Sequence, residues 1–234
     1  MELMLKTLKE GLPELGLELS GETCQKLCAF GAAVVKQNEV MNLTAITESA
    51  QVAKLHLLDS LSVLKCADLA GRSLIDVGCG AGFPGVPTAI ACPEAKVTLL
   101  DSLAKRVNWL ETVLPELGVS NARCITARAE EAVADHREKF DYATSRAVAR
   151  LNILLELTAP YVRVGGKVLA LKGAAAREEL AEAKNAIKKL GLQLEEVKDF
   201  PVDGTNHSVI VLKKVAPTPK QYPRRYAKIK QSPL

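Results

Sequence analysis

The sequence predicts an α/β protein in which a helical stretch of about 70 residues precedes a mostly parallel sheet of seven strands. Three observations lead to this reading. From Ser73 onward, short β-branched runs alternate with longer helical ones, the pattern of βαβ units. The first of those runs leads into a glycine-rich segment, SLIDVGCGAGFPG, placed as a ligand-binding loop at a strand end would be. The last two runs are separated by Val202-Asp203-Gly204-Thr205, which leaves no room for a crossover helix, so those strands should pair antiparallel.

Taken in order, the elements begin with helices. Ser20 can cap a segment in which Cys24, Leu27, Cys28, Gly31, Val34 and Val35 make one apolar face, ending near Asn38. A second helical stretch runs from about Glu48 to Leu69, after the connecting loop MNLTAIT. The boundary with the sheet falls near Gly71, and strands are expected at about 73–78, 96–101, 121–126, 140–145, 166–172, 193–200 and 207–213. Leu103, Val107, Leu110, Leu114 and Leu117 recur at helical spacing behind a Ser102 cap. Further helices fall near 149–159 and 175–190. The expected organisation is a helical subdomain over 1–70, a core over 71–214 and a tail over 215–234.

Composition narrows the class. With 48% hydrophobic residues and 25% charged, the chain can bury a substantial core and is neither disordered nor fibrous. No apolar run reaches the roughly 18 residues of a membrane span, and charges interrupt the N-terminus where a signal peptide would be apolar, so a cytosolic protein without membrane contact is expected. The six cysteines include no CxxC pair, which favours buried thiols over disulfides or a metal site. The net charge of +4 is local: beyond Asp203, the last acidic residue, lie seven cations and no acid. The segment KQYPRRYAKIK mixes cations with Tyr222 and Tyr226, which suits a polyanion such as RNA as well as it suits a solvated tail.

The glycine loop carries the strongest chemical signal. Gly78, Gly80, Gly82 and Gly85 let backbone approach a ligand closely, and Gly80, Gly82 and Gly85 satisfy GxGxxG, so a nicotinamide or flavin dinucleotide is one possible occupant. Two features favour S-adenosylmethionine. Asp76 stands where a carboxylate can meet the methionine ammonium, and Pro84 and Pro87 stiffen the segment where a dinucleotide fold needs a helix N-terminus. Asp101, 23 residues after Gly78, can accept both ribose hydroxyls of either cofactor, or simply open a helix. Ala129 and Glu130 follow the third strand, where an adenine would lie, although Glu130 also reads as an ordinary acidic first turn.

NLTAIT, HLLDS, DVGCGAGFPGVP, DSLAKR, RAE, SRAVA and LALKG, in this order, resemble the RsmG (GidB) family of class I methyltransferases. The resemblance covers nearly the whole chain. It implies a Rossmann-like sheet of seven strands with the last antiparallel, S-adenosylmethionine as cofactor, and methylation of guanine N7 in 16S rRNA, at the 530 loop. It also implies cofactor contacts at Gly78, Phe83, Ala129, Glu130 and Arg146. The partner would be 16S rRNA or the small subunit, and the protein a monomer. The tail begins YPR as the family's does and then departs from it.

What the chain lacks bears on the chemistry. There is no Asn/Asp-Pro-Pro-aromatic motif after the fourth strand, which disfavours exocyclic amines, and no Pro-Cys pair for a covalent route to cytosine C5. Guanine N7 offers a lone pair without deprotonation, so a positioning mechanism with no general base is expected. Lys172, Arg224 and Arg225 are candidate RNA contacts. His56 and Asp59 match the family's His-x-x-Asp and also fit a helix-to-sheet packing pair. Rival functions are an NAD-dependent oxidoreductase, a non-catalytic RNA-binding protein and a small-molecule methyltransferase.

Overall fold

The computed structural model describes residues 1–202 and 204–234. Seven strands, β1 (Ser73–Val77), β2 (Lys96–Asp101), β3 (Ala122–Thr126), β4 (Phe140–Arg146), β5 (Val162–Lys172), β6 (Leu192–Val202) and β7 (Thr205–Lys214), form one sheet in the order β3-β2-β1-β4-β5-β7-β6. Strands β1 to β5 pair parallel, and β7 is antiparallel to both its neighbours. The order reverses at β1, which lies between β2 and β4, so connections leave in opposite directions and a crevice opens at the C-terminal ends of β1 and β4. Val202 pairs with Thr205 across the expected turn, of which Asp203 lies outside the described residues.

Strand alternation divides the core between the two faces. Leu74, Leu99, Leu169 and Val211 point one way, into a cluster shared with helices α1 (Glu2–Glu14) and α2 (Gly21–Met41). Ile75, Leu100, Ala170 and Ile210 point the other way, into a second cluster. The first face is also covered by a continuous helical run made of α3 (Ser49–Val52), a π-helical turn (Ala53–Leu58), α4 (Asp59–Leu61) and a 3₁₀ turn (Ser62–Lys65). Helices α5 (Gly85–Ala91) and α6 (Ala104–Glu116) complete that side. Opposite lie α7 (Ala129–His136), α8 (Leu151–Thr158), a 3₁₀ turn (Ala159–Tyr161), α9 (Ala176–Glu182), α10 (Lys184–Lys189) and the C-terminal α11 (Tyr226–Gln231). No described helix is long and apolar enough to cross a membrane.

Several expectations need correction. Ser20 does cap α2, its Oγ accepting the Thr23 N–H at 3.1 Å, but the helix continues past Asn38 to Met41 and stops where Asn42 turns left-handed. Ser102 does not cap α6; Asp101 Oδ1 accepts the Leu103 N–H at 2.9 Å instead. Helix α5 forms despite its prolines, because Pro87 sits in the first turn, where no intrahelical donor is required. Glu130 and Glu131 do form the acidic first turn of a helix, α7. Strand β5 starts earlier than position 166 through a register shift between the Phe140 and Tyr142 pairings, and Gly166 fits there because a Cβ would lie 2.3 Å from the Asp141 carbonyl oxygen. Of the cysteines, Cys24, Cys28 and Cys79 are buried and Cys66, Cys92 and Cys124 half-buried.

Phe30 ties α2 to the glycine loop: it is fully buried, with its ring 5.2 Å from Phe83 and 6.4 Å from Trp109. Phe30→Ala should lower the unfolding free energy by about 3–5 kcal/mol in urea denaturation, as large cavities in packed cores do.

Candidate active site

At the crevice beyond β1 and β4 lies a cavity of about 610 Å³. Its walls include Gly78, Gly80, Phe83, Asp101, Ala129, Glu130 and Arg146, seven of the nine residues expected to hold a cofactor. Gly80 has φ +56°, and a Cβ there would meet no protein atom nearer than 3.9 Å, so it would stand in the cavity. The Gly80 N–H donates to Asp101 Oδ2 at 2.9 Å. With the Leu103 bond to Oδ1, two of the carboxylate's roughly four acceptor positions are taken, and the Arg106 guanidinium stands 3.9 Å from Oδ2 on the same cavity wall. Ala129 and Glu130 open α7, and a helix gives its first N–H groups no partner of its own. The Ala129 carbonyl accepts from Tyr161 Oη at 2.6 Å, which fixes the start of that helix.

Asp76 and Gly82 are not on this wall. Asp76 is fully buried behind the loop, where Oδ2 accepts the Gly85 N–H at 2.8 Å and Oδ1 has no hydrogen-bond partner. Burial pushes its carboxyl up to about 7, against the lowering effect of the Gly85 bond. It shapes the loop from beneath. Gly82 is needed for packing: a Cβ there would lie 2.8 Å from Val86 and 2.9 Å from Leu110.

Arg146, with His56, Ala147 and Val148, lines both this cavity and a second one of about 730 Å³. Its Nη1 donates to Asp59 Oδ2 and to the Leu55 carbonyl, both at 2.8 Å, and Nη2 lies 3.2 Å from His56 Nδ1. The guanidinium carbon is 5.1 Å from the centre of the Phe83 ring, on which His56 stacks at 4.7 Å. His56 Nδ1 also lies 3.1 Å from the Leu55 carbonyl oxygen, and Nε2 is 2.7 Å from Thr44 Oγ1. Asp59 Oδ1 accepts from His207 Nδ1 at 2.8 Å. The packing pair foreseen at His56 and Asp59 is therefore part of a chain that joins the loop after α2, the π-helical turn, β4 and β7. Ala147, next to Arg146, holds a left-handed φ of 57°.

These contacts set the protonation states. Burial, and then the Arg146 charge, push His56 down to about 4, so it is neutral at pH 7. Burial would raise the Asp59 carboxyl, but the His207 hydrogen bond and the Arg146 charge outweigh it and its pKa is lowered. His207 is raised by its bond to Asp59. Sequence reasoning missed His207, whose partner Asp59 lies 148 residues away and leaves no local signal.

Of the three residues expected on RNA, the structure pairs two with carboxylates. Lys172 lines the second cavity but is nearly buried, 2.7 Å from Glu179 Oε2 and donating to the Ala149 carbonyl at 2.6 Å, so it is not a free phosphate contact. Arg224 is held by Glu156, donating from Nε at 2.8 Å and Nη2 at 2.6 Å. Arg225 is exposed. Tyr226, one of the two tyrosines of the basic segment, lies on the wall of the first cavity.

The sequence model of the family described as GidB, rRNA small subunit methyltransferase G, matches residues 23–208. A Clostridium beijerinckii protein called ribosomal RNA small subunit methyltransferase G is 45% identical over 226 residues, covering 94% of this chain and 95% of its own. One of the same name from Alkaliphilus metalliredigens is 42% identical and covers 97% of each chain. Among solved structures, a geranyl diphosphate methyltransferase in complex with SAM superposes with a TM-score of 0.55 at 16% identity, over 74% of this chain and 92% of that one, a likeness of fold.

Because His56 is neutral in the folded protein down to about pH 4 and protonates near 6.5 when unfolded, stability should fall as pH drops through that window. The loss from this group is on the order of 2–3 kcal/mol. His207 contributes with the opposite sign: its stabilisation is complete below 6.5 and fades as pH rises through its raised folded pKa. His56→Gln cannot titrate, so urea denaturation at pH 7 and pH 4.5 should show a smaller loss than in the parent.

Proposed function

The chain belongs to the ribosomal RNA small subunit methyltransferase G (GidB) family, and from that premise we propose that it transfers a methyl group from S-adenosylmethionine to N7 of a guanine in 16S rRNA, in the 530 loop. The observation that carries this reading is the pair of adjoining cavities that Arg146 lines. One fits the cofactor and the other an extruded base.

The residues of the first cavity suit S-adenosylmethionine. Gly80 leaves open the space a side chain would fill, Asp101 offers acceptors to a ribose diol, and the first turn of α7 offers N–H donors to an adenine edge. Gly78 and Phe83 line the cavity where the methionine portion would lie. When bound, S-adenosylmethionine supplies an electrophilic methyl group on a sulfonium.

The acceptor side lacks a free base among the described residues. The carboxylates that line the second cavity, Asp59 and Glu179, are already paired with Arg146 and His207, and with Lys172. Guanine N7 suits such a site, since its lone pair needs no deprotonation and the protein has only to align and partly desolvate it. Positive charge develops on the purine as it is methylated, so a free cation beside the ring would oppose transfer. Arg146 meets that constraint because Asp59 neutralises it at 2.8 Å. A base paired inside an A-form helix presents N7 in a deep, narrow groove, so the target must be unpaired or extruded. Exposed cations near the cavity mouth and tail, Arg128, Arg225 and Lys228, are left to hold phosphate.

Labelled methyl transfer to free 16S rRNA and to 30S subunits, followed by borohydride and aniline cleavage, should give a single cut at one guanine. Cofactor binding with no transfer to either RNA would overturn the reading, and displacement of the ligand by NADH would return the site to a dinucleotide. Arg225→Ala should weaken RNA binding and lower the magnitude of its salt slope by about 1, as loss of one phosphate contact does, while S-adenosylhomocysteine affinity stays as it was.

A further inference from the structure

The basic tail is anchored far more firmly than its charge implies. The chain leaves β7 at Lys214, a fully buried lysine that donates to the Ala159 carbonyl at 2.9 Å, contacts Thr218 Oγ1 and lies 3.5 Å from Glu138. Glu138 also accepts the Thr218 N–H at 2.8 Å. Arg137 then holds the Tyr222 carbonyl, and Tyr222 itself is buried. Arg224 closes the path on Glu156, a carboxylate of α8 with no solvent exposure, which accepts from the Arg224 backbone N–H, Nε and Nη2. A charge buried that deeply requires its partner, so this ion pair fixes where the next two residues go. Ile229, fully buried in the second core cluster, pins the far end of the tail on the α8 side.

Between those two anchors stands Tyr226. It is half-buried, it begins α11, and its side chain belongs to the same cluster as Ala127, Ala129 and Leu157. All four line the 610 Å³ cavity. They reach it from the α7 and α8 side of the sheet, whereas Thr44, His56 and Phe83 line it from the side of the N-terminal helices. Tyr226 therefore lines the cavity from the same side as Ala129, whose first-turn backbone is the candidate adenine contact.

We infer that the C-terminal tail is a wall of the cofactor site, with Tyr226 packing its ring against the purine of S-adenosylmethionine and the Arg224–Glu156 pair acting as the positioning latch. The inference rests on the cofactor assignment above. It moves Tyr226 from RNA to the nucleoside, and it explains why an otherwise basic, exposed segment carries a deeply buried ion pair. A purine is flat and π-rich on both faces, and an aromatic side chain beside it contributes through stacking and burial.

Calorimetric titration with S-adenosylhomocysteine tests this, using Tyr226→Leu to keep apolar bulk and Tyr226→Phe to keep the ring. The Leu variant should bind about 10-fold or more weakly, the loss expected of one base–aromatic stack, and the Phe variant within about 2-fold of the parent. The same fold-change should appear with 5′-methylthioadenosine, which retains the nucleoside and lacks the amino-acid end. Parent-like affinity in the Leu variant would overturn the inference, as would a loss confined to RNA affinity, which would return Tyr226 to the substrate. Failure of the parent itself to bind S-adenosylhomocysteine would instead remove the cofactor assignment on which the inference stands.

Discussion

The Arg146 guanidinium is the constraint on which the rest of this structure depends. It leaves the end of β4 at the crevice and binds Asp59, the Leu55 carbonyl and His56, all from the helical run on one face of the sheet. Removing one partner of a buried ion pair costs about 3–5 kcal/mol, because the survivor is left uncompensated. Arg146, Asp59 and His207 must therefore stay together, and in doing so they lock the N-terminal helices to β4 and β7. The π-helical turn that carries Leu55 and His56 belongs to the same device, since such turns re-aim side chains at functional sites. Arg146 and His56 of this cluster line both cavities.

The layered core positions the cluster. Period-two alternation sends Leu74 and Ile75 to opposite faces, and each face is covered by its own set of helices. The crevice at the ends of β1 and β4 then follows from strand order, and the loop after β1 lines it with glycines in conformations that other residues rarely adopt. Asp76 holds that loop from below through the Gly85 N–H. The first cavity thus joins the backbone of the glycine loop to side chains from both faces of the sheet, whereas the second includes the paired side chains of Asp59, Arg146, Lys172, Glu179 and His207.

Elements with strong periodicity could be read from the sequence, and so could residues whose function follows from place in a strand–loop–helix unit. All seven strands, the cap at Ser20 and the placing of Gly80, Asp101 and Ala129 on the wall of one cavity were legible for that reason. The start of β5 was not, because its first residues pair through a register shift beside Asp141 that leaves no periodic signal in the sequence. Asp76 and Gly82 lie off the cavity wall, behind the loop, because the residue types that can touch a ligand are the same ones that let a tight loop pack on itself. The largest gap concerns cations. Lys172 and Arg224 read as free charges until the fold brings Glu179 and Glu156 to them, the latter from 68 residues away. Pairing at that range has no signature in local spacing, and the role of Tyr226 depends on it.

A crystal structure with S-adenosylhomocysteine bound tests the account most directly. It should place the adenine between the Ala129–Glu130 backbone and the tail, and the ribose on Asp101, with Arg146 still bonded to Asp59 and the acceptor cavity empty. A ligand that displaces Arg146 from Asp59, or that occupies the second cavity instead, would contradict the claim that this ion pair is a fixed part of the site.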